Sequence, residues 1–180
     1  MSKPFGWSTI YGHAGEHSVP YMTRIWIGQL RLHIFYRGDN DPDCHDHPWD
    51  FWTFPFTAYV EEVLFPIQDT VAEGQPGPKL RYQLVRQVVP AFKWTFRPAT
   101  HTHRVIGPVG DKVVQLSAII LHTAKELLPI AVPGKIVTLV WRGKAGRNWG
   151  FLKNRNNQWC WVGWKDYIWQ GGKDAPCKDE

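Results

Sequence analysis

Apolar and polar residues alternate at period two along much of the chain, a pattern typical of β-strands. In RIWIGQLRLHIFYRG, residues 24–38, the large apolar residues of one parity are Trp26, Leu30, Leu32 and Ile34. We expect them to face a core from one strand. KLRYQLVRQVV, FKWTFRP, DKVVQLSAIILH and KIVTLVWRG repeat the pattern. Many short strands with turns between them predict an all-β sandwich or barrel.

Glycine and proline punctuate the chain too often for long helices. The 14 prolines and 16 glycines leave few uninterrupted windows of helical length. A chain of 180 residues fits one domain with a real core. The stretch WRGKAGRNWGFLKNRNNQWCWVGWKDYIW is rich in tryptophan, and such side chains most often fill a core.

Composition excludes several classes of protein. The longest apolar runs, such as VVQLSAIILH, are about half of the roughly 20 residues that a membrane helix needs. The N-terminal stretch lacks the zones of a signal peptide. Three cysteines, with no CxxC pair, indicate neither a disulfide framework nor a zinc ribbon, so a reducing, cytoplasmic setting is expected. The net charge of +5 is spread out, which ranks nucleic-acid binding lowest.

The stretch DCHDHPWDF carries the strongest candidate chemistry. His45 and His47 are alternate residues, so in a strand both imidazoles project from one face. Pro48 stops the strand, and the turn it begins can swing Asp50 back towards the two rings. The stretch RPATHTHRV offers a fourth ligand from another strand, His101 or His103. A barrel of antiparallel strands would bring the two segments together.

These two segments resemble the paired motifs of the cupin family. The first family motif is His-x-His, then three or four residues, then Glu, and later Gly; here HDHPWDF has Asp50 in place of Glu, and Ala58 stands in place of Gly. The second motif places a histidine five positions after a proline, which selects His103 after Pro98. The resemblance covers about residues 24–128. It implies a divalent transition metal held by His45, His47, Asp50 and His103, or by the three histidines alone.

The resemblance also implies the architecture. We expect a cupin-like double-stranded β-helix barrel, or jelly roll, as a single domain over 1–170 with its barrel core at about 24–141. A Trp-rich C-terminal extension would pack on the outside of the barrel or close one end, and a flexible tail would follow at 171–180. Small uncharacterised cupin-like proteins of bacteria and phages also share HDHPWDF, a THRV-like strand and a later WGF segment. Cupins often pair through sheets, so a homodimer is the candidate assembly.

Other residues have candidate roles around that site. His101 shares the parity of His103 and is a candidate acid or base. Of Glu61 and Glu62 only one can face inward, and we predict Glu62 as the catalytic carboxylate. Residues that could hold an anionic substrate are Arg81, Arg86 and Arg97. Asp46 and Arg104 are predicted to form a surface pair, and Cys44 to pack as a small hydrophobe.

Three functions compete for the predicted site. The first is a small-molecule Fe(II) dioxygenase, because an open histidine-rich site suits dioxygen beside an apolar substrate; Zn, Mn and Ni are the alternative metals. The second is a metal-dependent isomerase or epimerase of a sugar or sugar phosphate. The third is a non-enzymatic cupin that binds a ligand or uses its metal as a structural clip.

Overall fold

The computed structural model describes residues 4–14, 17–67, 81–115 and 127–177. These residues form thirteen strands and one short helix. The elements are β1 (Phe5–Ala14), β2 (His17–Ile27), β3 (Leu30–Phe35), β4 (Cys44–His45), β5 (Phe51–Pro55), β6 (Tyr59–Ile67), β7 (Arg81–Val89), β8 (Thr95–Arg97), β9 (His103–Gln115), β10 (Leu127–Ala131), β11 (Ile136–Arg142), β12 (Gly150–Arg155), β13 (Gln158–Gly163) and α1 (Trp164–Trp169). The predicted strand over 111–122 lies partly outside the described residues.

The strands form two antiparallel sheets. The first has the order β1-β2-β3-β11-β5-β8, and the second has the order β13-β12-β4-β9-β6-β7 with β10 added to β9. Antiparallel pairing brings distant segments together, for example β4 beside both β9 and β12. This nearly all-β, two-sheet architecture confirms the predicted fold class and is that of a cupin-like barrel or sandwich whose sheets are not closed.

The apolar core lies in two small clusters. One contains Tyr59, Val89, Val105 and Ile136. The other contains Cys44, Leu64 and Leu152, with Tyr82 and Trp159 packed against them. Cys44 is 2% exposed, which confirms its predicted packing role.

The stretch 24–38 contains a hairpin turn, so the single strand predicted there is wrong. Gly28 has φ +57°, a left-handed conformation that favours glycine, and the chain reverses direction between β2 and β3. The turn changes the parity of the residues that follow it. Trp26 is paired with Arg31 on the inner face, whereas Leu30 is paired with the half-exposed Trp141 on the outer face. The predicted core row therefore splits between the two faces.

The first sheet carries large apolar side chains on its outer face. Two cross-strand rows there contain no charged residue: Phe5, Ile27, Leu30, Trp141, Trp52 and Phe96, followed by Trp7, Ile25, Leu32, Leu139 and Phe54. We call these two rows the outer apolar face. Many of these side chains are strongly exposed, Trp7 at 69% and Trp141 at 51%. The alternate positions, on the inner face, include Arg24, Arg31, His33 and Arg142.

The Trp-rich C-terminal region is part of the second sheet. Strand β12 pairs with β4 and β13 extends the sheet edge, so the sheets reach beyond the predicted core at 24–141. Helix α1 packs back on β12: the ring of Tyr167 stacks on Phe151 at 3.7 Å, and Trp164 stacks on Trp149 at 5.6 Å. The described part of the chain has no helix with the length and apolarity needed to cross a bilayer.

A disulfide joins Cys160 to Cys177, in contrast to the prediction from the cysteine spacing. Residues 171–177 are held in place as well, because the buried ammonium of Lys153 donates to the carbonyls of Gly172 and Ala175. The flexible tail predicted at 171–180 stays a prediction, and 178–180 lie outside the described chain. Disulfides are rare in reducing compartments. The cytoplasmic location was predicted from a cysteine pattern that indicated no disulfide. It stays a prediction, but the disulfide removes that support.

Candidate metal centre

Two strands and one turn bring the predicted histidines together. His45 ends β4 and lies directly opposite His103, which begins β9. His47 follows in the turn, where its backbone N–H donates to the carbonyl of Ala99 at 2.9 Å. The two segments that contain the HDH and THTH motifs are thus fixed side by side by backbone hydrogen bonds.

The three imidazoles converge on one small volume. A nitrogen from each of His45, His47 and His103 lies within 4.8 Å of the other two. The Nε2 atoms of His47 and His103 are 3.0 Å apart. Two nitrogens that each bind a metal at about 2.1 Å, on adjacent octahedral positions, are separated by about 3 Å. The donor set and its spacing therefore fit a divalent transition metal.

Glu61 orients His103 by a hydrogen bond to Nδ1, the ring nitrogen that does not face His47. Its side chain is fully buried, and its Oε2 accepts a hydrogen bond from His103 Nδ1 at 2.8 Å. With the proton on Nδ1, the lone pair of neutral His103 is on Nε2, the atom that faces His47. A carboxylate that holds a ligating histidine in this way is a recurrent feature of protein metal sites.

A second set of contacts keeps Glu61 ionised. Burial alone would raise the pKa of the Glu61 carboxyl, but the imidazoles of His101 and His103 and the guanidinium of Arg97 lower it far below its usual range. Arg97 Nη2 lies 2.8 Å from Oε1 of Glu61, and Gln87 Nε2 donates to the same oxygen at 2.7 Å. The carboxylate therefore remains a hydrogen-bond acceptor for His103 at neutral pH.

Burial also keeps His47 and His103 neutral. It lowers the pKa of His47 well below the ordinary value, with a further contribution from His103 and His45. Burial lowers the pKa of His103 to about 4, against the opposing effect of the Glu61 carboxylate. Neutral imidazoles have the lone pairs that metal binding requires.

Asp50 does not join the three histidines. Its side chain is exposed, and its Oδ1 accepts the backbone N–H of Ala99 at 2.6 Å. The turn after Pro48 directs this carboxylate to the loop that precedes His101, away from the ring cluster. The structure thus brings together the three-histidine set, and a ligand role for Asp50 stays a prediction without support from this geometry.

The inward carboxylate is Glu61, whereas the sequence prediction named Glu62. Glu62 lies on the other face of β6, where Arg86 and Arg104 bind its two oxygens. This pairing also replaces the predicted contact of Arg104 with Asp46. Glu62 is thus separated from the histidines by its own strand and is tied to two cations, an arrangement typical of a structural ion pair.

His101 lies beside the cluster without belonging to the three-histidine set. Its ring centroid is 4.8 Å from that of His103. Arg97 Nη1 lies 2.7 Å from His101 Nε2, and since a guanidinium can only donate, that nitrogen accepts. Glu61, His101 and His103 form a second group with the composition of a metal site. The predicted acid–base role of His101 stays open.

Asp46 connects the centre to the C-terminal strands. It is 4% exposed, and its carboxylate accepts the backbone N–H of Gly150 at 2.7 Å and the indole N–H of Trp161 at 3.0 Å. Arg147 completes the set with an ion pair at 2.7 Å. The residue between the two histidines of the HDH motif therefore anchors β12 and β13, and the predicted surface pair with Arg104 is wrong.

Aromatic rings form the wall next to His45. Its ring centroid lies 6.0 Å from that of Trp149 and 5.8 Å from that of Phe151. Phe51 lies 4.6 Å from His47 on the other side. The WGF segment of β12 thus contributes two rings to the site.

Comparisons with known proteins add little to this geometry. No protein-family model matches the chain, and no curated protein matches it. Among solved structures, DMSP lyase DddQ from Ruegeria pomeroyi DSS-3 is similar at 15% sequence identity, with a TM-score of 0.34. The match covers 81% of this chain and 50% of the lyase chain, so this chain spans half the length of that protein. A likeness this remote carries no argument about activity.

Sequence reasoning missed Glu61 and Arg97 as the pair behind His103. Parity contained a usable signal, because Glu61 and Val63 share a face of β6 and Val63 lies opposite His103. A shift in register between Val60 and Glu61 makes such counting unsafe from sequence alone. Arg97 was considered only as a substrate ligand, whereas here it binds Glu61 and His101.

Proposed function

We propose that this protein is a metal-binding, cupin-like metalloenzyme of the Fe(II) dioxygenase type that acts on a small molecule. The observation that carries the proposal is the convergence of His45, His47 and His103, with two Nε2 atoms 3.0 Å apart. His45, His47 and His103 would hold a divalent transition metal of the kind that non-haem oxygenases use, and the metal would supply redox or Lewis-acid chemistry.

The residues of the chain have separable roles in this proposal. A bound divalent metal supplies Lewis-acid or one-electron chemistry. Glu61 holds the proton of His103 on Nδ1 and so presents the Nε2 lone pair, while Arg97 fixes the position of Glu61. Trp149 and Phe51 restrict water on two sides of the imidazoles. In this proposal His101, which lies beside His103 and accepts from Arg97, would hold or move a proton at its ring.

His101 also favours the alternative function, a metal-dependent isomerase or epimerase of a sugar or sugar phosphate. Such a reaction needs a proton carrier next to the metal, and His101 lies beside His103 in the same interior. A non-enzymatic cupin with a structural metal would need the histidines but no proton carrier. The identity of the bound metal separates the first two functions.

The first test is metal content. Protein purified without a histidine tag or added metal is analysed by elemental mass spectrometry, together with His45→Ala and His103→Ala. We expect about one equivalent of metal in the wild type and a loss of at least tenfold in both variants. Iron supports the dioxygenase, and zinc, manganese or nickel supports the isomerase.

The matched control is His33→Gln, which removes an interior imidazole outside the three-histidine set. It should retain the metal of the wild type. Wild-type protein that holds no metal, and binds none of these ions on titration, would refute the proposal.

We also propose a homodimer that forms through the outer apolar face. The two cross-strand rows of that face are uncharged, so two copies can meet without like-charge repulsion. Soluble monomers rarely expose contiguous apolar patches beyond a few hundred Å². An isologous pairing would bury the exposed rings of Trp52 and Trp141.

A further inference from the structure

Three arginines share the inner face of the first sheet. Arg24 on β2 lies opposite His33, and Arg31 on β3 lies opposite Trp26 and Val140. Arg31 is therefore diagonal to Arg24 across β2 and β3, and diagonal to Arg142 across β3 and β11. Side chains at such diagonal positions are about 7–8 Å apart at the backbone, within reach for long side chains.

Within the described residues these three arginines have no carboxylate partner, in contrast to five other arginines. Ion pairs to Asp or Glu are formed by Arg86, Arg97, Arg104, Arg147 and Arg155. Within the described ranges no such pair involves Arg24, Arg31 or Arg142. Arg31 donates only to the carbonyls of Gly28 and Leu30. The three guanidinium groups therefore keep most of their donors available.

Two of the guanidinium groups have buried atoms that lack a partner. The Nε atoms of Arg24 and Arg142 are inaccessible and make no hydrogen bond. Buried donors in folded proteins are nearly always satisfied, and an unsatisfied one needs a specific explanation. Cation–π contacts explain part of the arrangement, since Arg142 lies 4.5 Å over the ring of Trp49 and Arg31 lies 5.7 Å from that of Trp26. Ring contacts do not satisfy an N–H.

The like charges also oppose one another. Burial lowers the pKa of Arg24, and the charge of Arg142 lowers it further. Burial lowers the pKa of Arg31, followed by the effects of Arg142 and Arg24. His33, which faces Arg24, offers no counter-charge, because burial and these arginines lower its pKa to about 3 and keep it neutral. A bound anion would relieve this repulsion and accept hydrogen bonds from guanidinium donors other than the inaccessible Nε atoms.

The arginines are next to the metal centre. Arg142 lies opposite Phe51 on β5, and the ring of Phe51 is 4.6 Å from that of His47. A small molecule held by an anionic group at Arg142 would therefore extend past Phe51 to the three histidines. Guanidinium groups bind carboxylate and phosphate oxygens through paired N–H donors.

We propose that Arg24, Arg31 and Arg142 form an oxyanion-binding site for the carboxylate or phosphate group of a small-molecule ligand. As a statement about substrate class, this inference rests on the proposed function; as a statement about anion binding, it stands without a metal. Of the three arginines named from the sequence, Arg81, Arg86 and Arg97, the last two are already occupied by Glu62 and Glu61.

The test is calorimetric titration of metal-free protein with inorganic phosphate and, separately, with acetate, at fixed chloride concentration. We expect saturable binding of at least one anion, and the stronger of the two identifies the group. Arg31→Gln should weaken that binding at least tenfold. The matched control Arg86→Gln removes the same charge from β7 and should change binding less than twofold. Binding of neither anion, or equal weakening in both variants, would overturn the inference.

The melting temperature is a second measurement, which distinguishes a variant that has lost the anion site from one that has misfolded. Arg31→Gln removes one of three like charges, so the anion-free variant should melt at or above the wild-type temperature, and phosphate should raise the melting temperature of the wild type alone. Arg142→Gln should behave in the same way. Variants that melt lower and bind the anion as the wild type does would assign these arginines a structural role.

His103→Ala keeps the two proposals apart. It should lose the metal and still bind the anion. A wild-type protein that binds phosphate but no metal would refute the proposed function and leave the anion site standing.

Discussion

At the scale of single residues, two adjacent glutamates have opposite environments. Glu61 contacts the histidine centre through His103, whereas Glu62 is bound by Arg86 and Arg104 on the other face of β6. Both are buried and both pair with arginine. Changing each glutamate to glutamine therefore gives two variants with the same chemical change, which differ only in whether the glutamate contacts the histidine cluster.

We predict that Glu61→Gln lowers metal affinity about 10–100-fold, the usual effect of removing a carboxylate behind a ligating histidine. Glu62→Gln should leave metal affinity unchanged. Competition with a chromogenic chelator measures both dissociation constants. Both variants should lose unfolding free energy, about 3–5 kcal/mol for a buried ion pair that loses one partner. Equal losses of metal affinity in the two variants would contradict the role of Glu61.

The sequence predicted the histidine cluster better than it predicted the residues that support the cluster. His45, His47 and His103 were identified because the i, i+2 spacing directs two rings to one face and the motif spacing selects one of two later histidines. The ligand role of Asp50 stays a prediction, because its carboxylate accepts the backbone N–H of Ala99, 49 residues away in the chain. Contacts over such a separation leave no local pattern.

At the scale of elements, the sequence pattern predicted the strands but not which face of each strand points inward. A period of two identifies strands, yet it cannot say which parity faces inward when one face is lined by arginine and histidine and the other by tryptophan. The rule that apolar residues face the core therefore assigned Leu30 and Leu32 inward. The turn at Gly28 also changes which positions, odd or even, face inward, although the sequence pattern of this stretch is that of a single strand.

The C-terminal elements give a second prediction. The Cys160–Cys177 disulfide closes a segment that contains α1, with a sequence separation of 17. By loop entropy, such a crosslink stabilises the fold by about 3 kcal/mol. Cys177→Ser, or reduction of the wild type, should lower the free energy of unfolding by about that amount in urea titrations. Cys177→Ser should itself be insensitive to reductant, and equal stability with and without reductant in the wild type would contradict the assignment.

At the scale of the whole molecule, the first sheet is apolar towards solvent and polar towards the interior. Trp141 lies at the middle of the outer apolar face, between Leu30 and Trp52. The inner positions of the same strands include Arg24, Arg31 and Arg142. One sheet thus presents two surfaces, and each favours a different class of partner.

We predict that the wild type sediments as a dimer and that Trp141→Glu sediments as a monomer, because a carboxylate at the centre of an isologous interface would meet its own copy. Trp169→Glu is the control: Trp169 is 72% exposed at the end of α1, away from that face. Sedimentation velocity over a tenfold concentration range distinguishes the species. A monomeric wild type, or dissociation caused equally by both variants, would exclude this interface.

The pairing of β4 with β12 has a consequence for how the chain matures on the ribosome. His45 is synthesised early, but the strand that pairs with it and the groups that hold Asp46 come from residues 147–161, more than 100 positions later. During translation the early histidines therefore exist for most of the time without the neighbours that orient them. Under the proposed function, productive metal capture would be a late event, reserved for chains that have emerged past Trp161, and prematurely terminated products would lack an assembled centre.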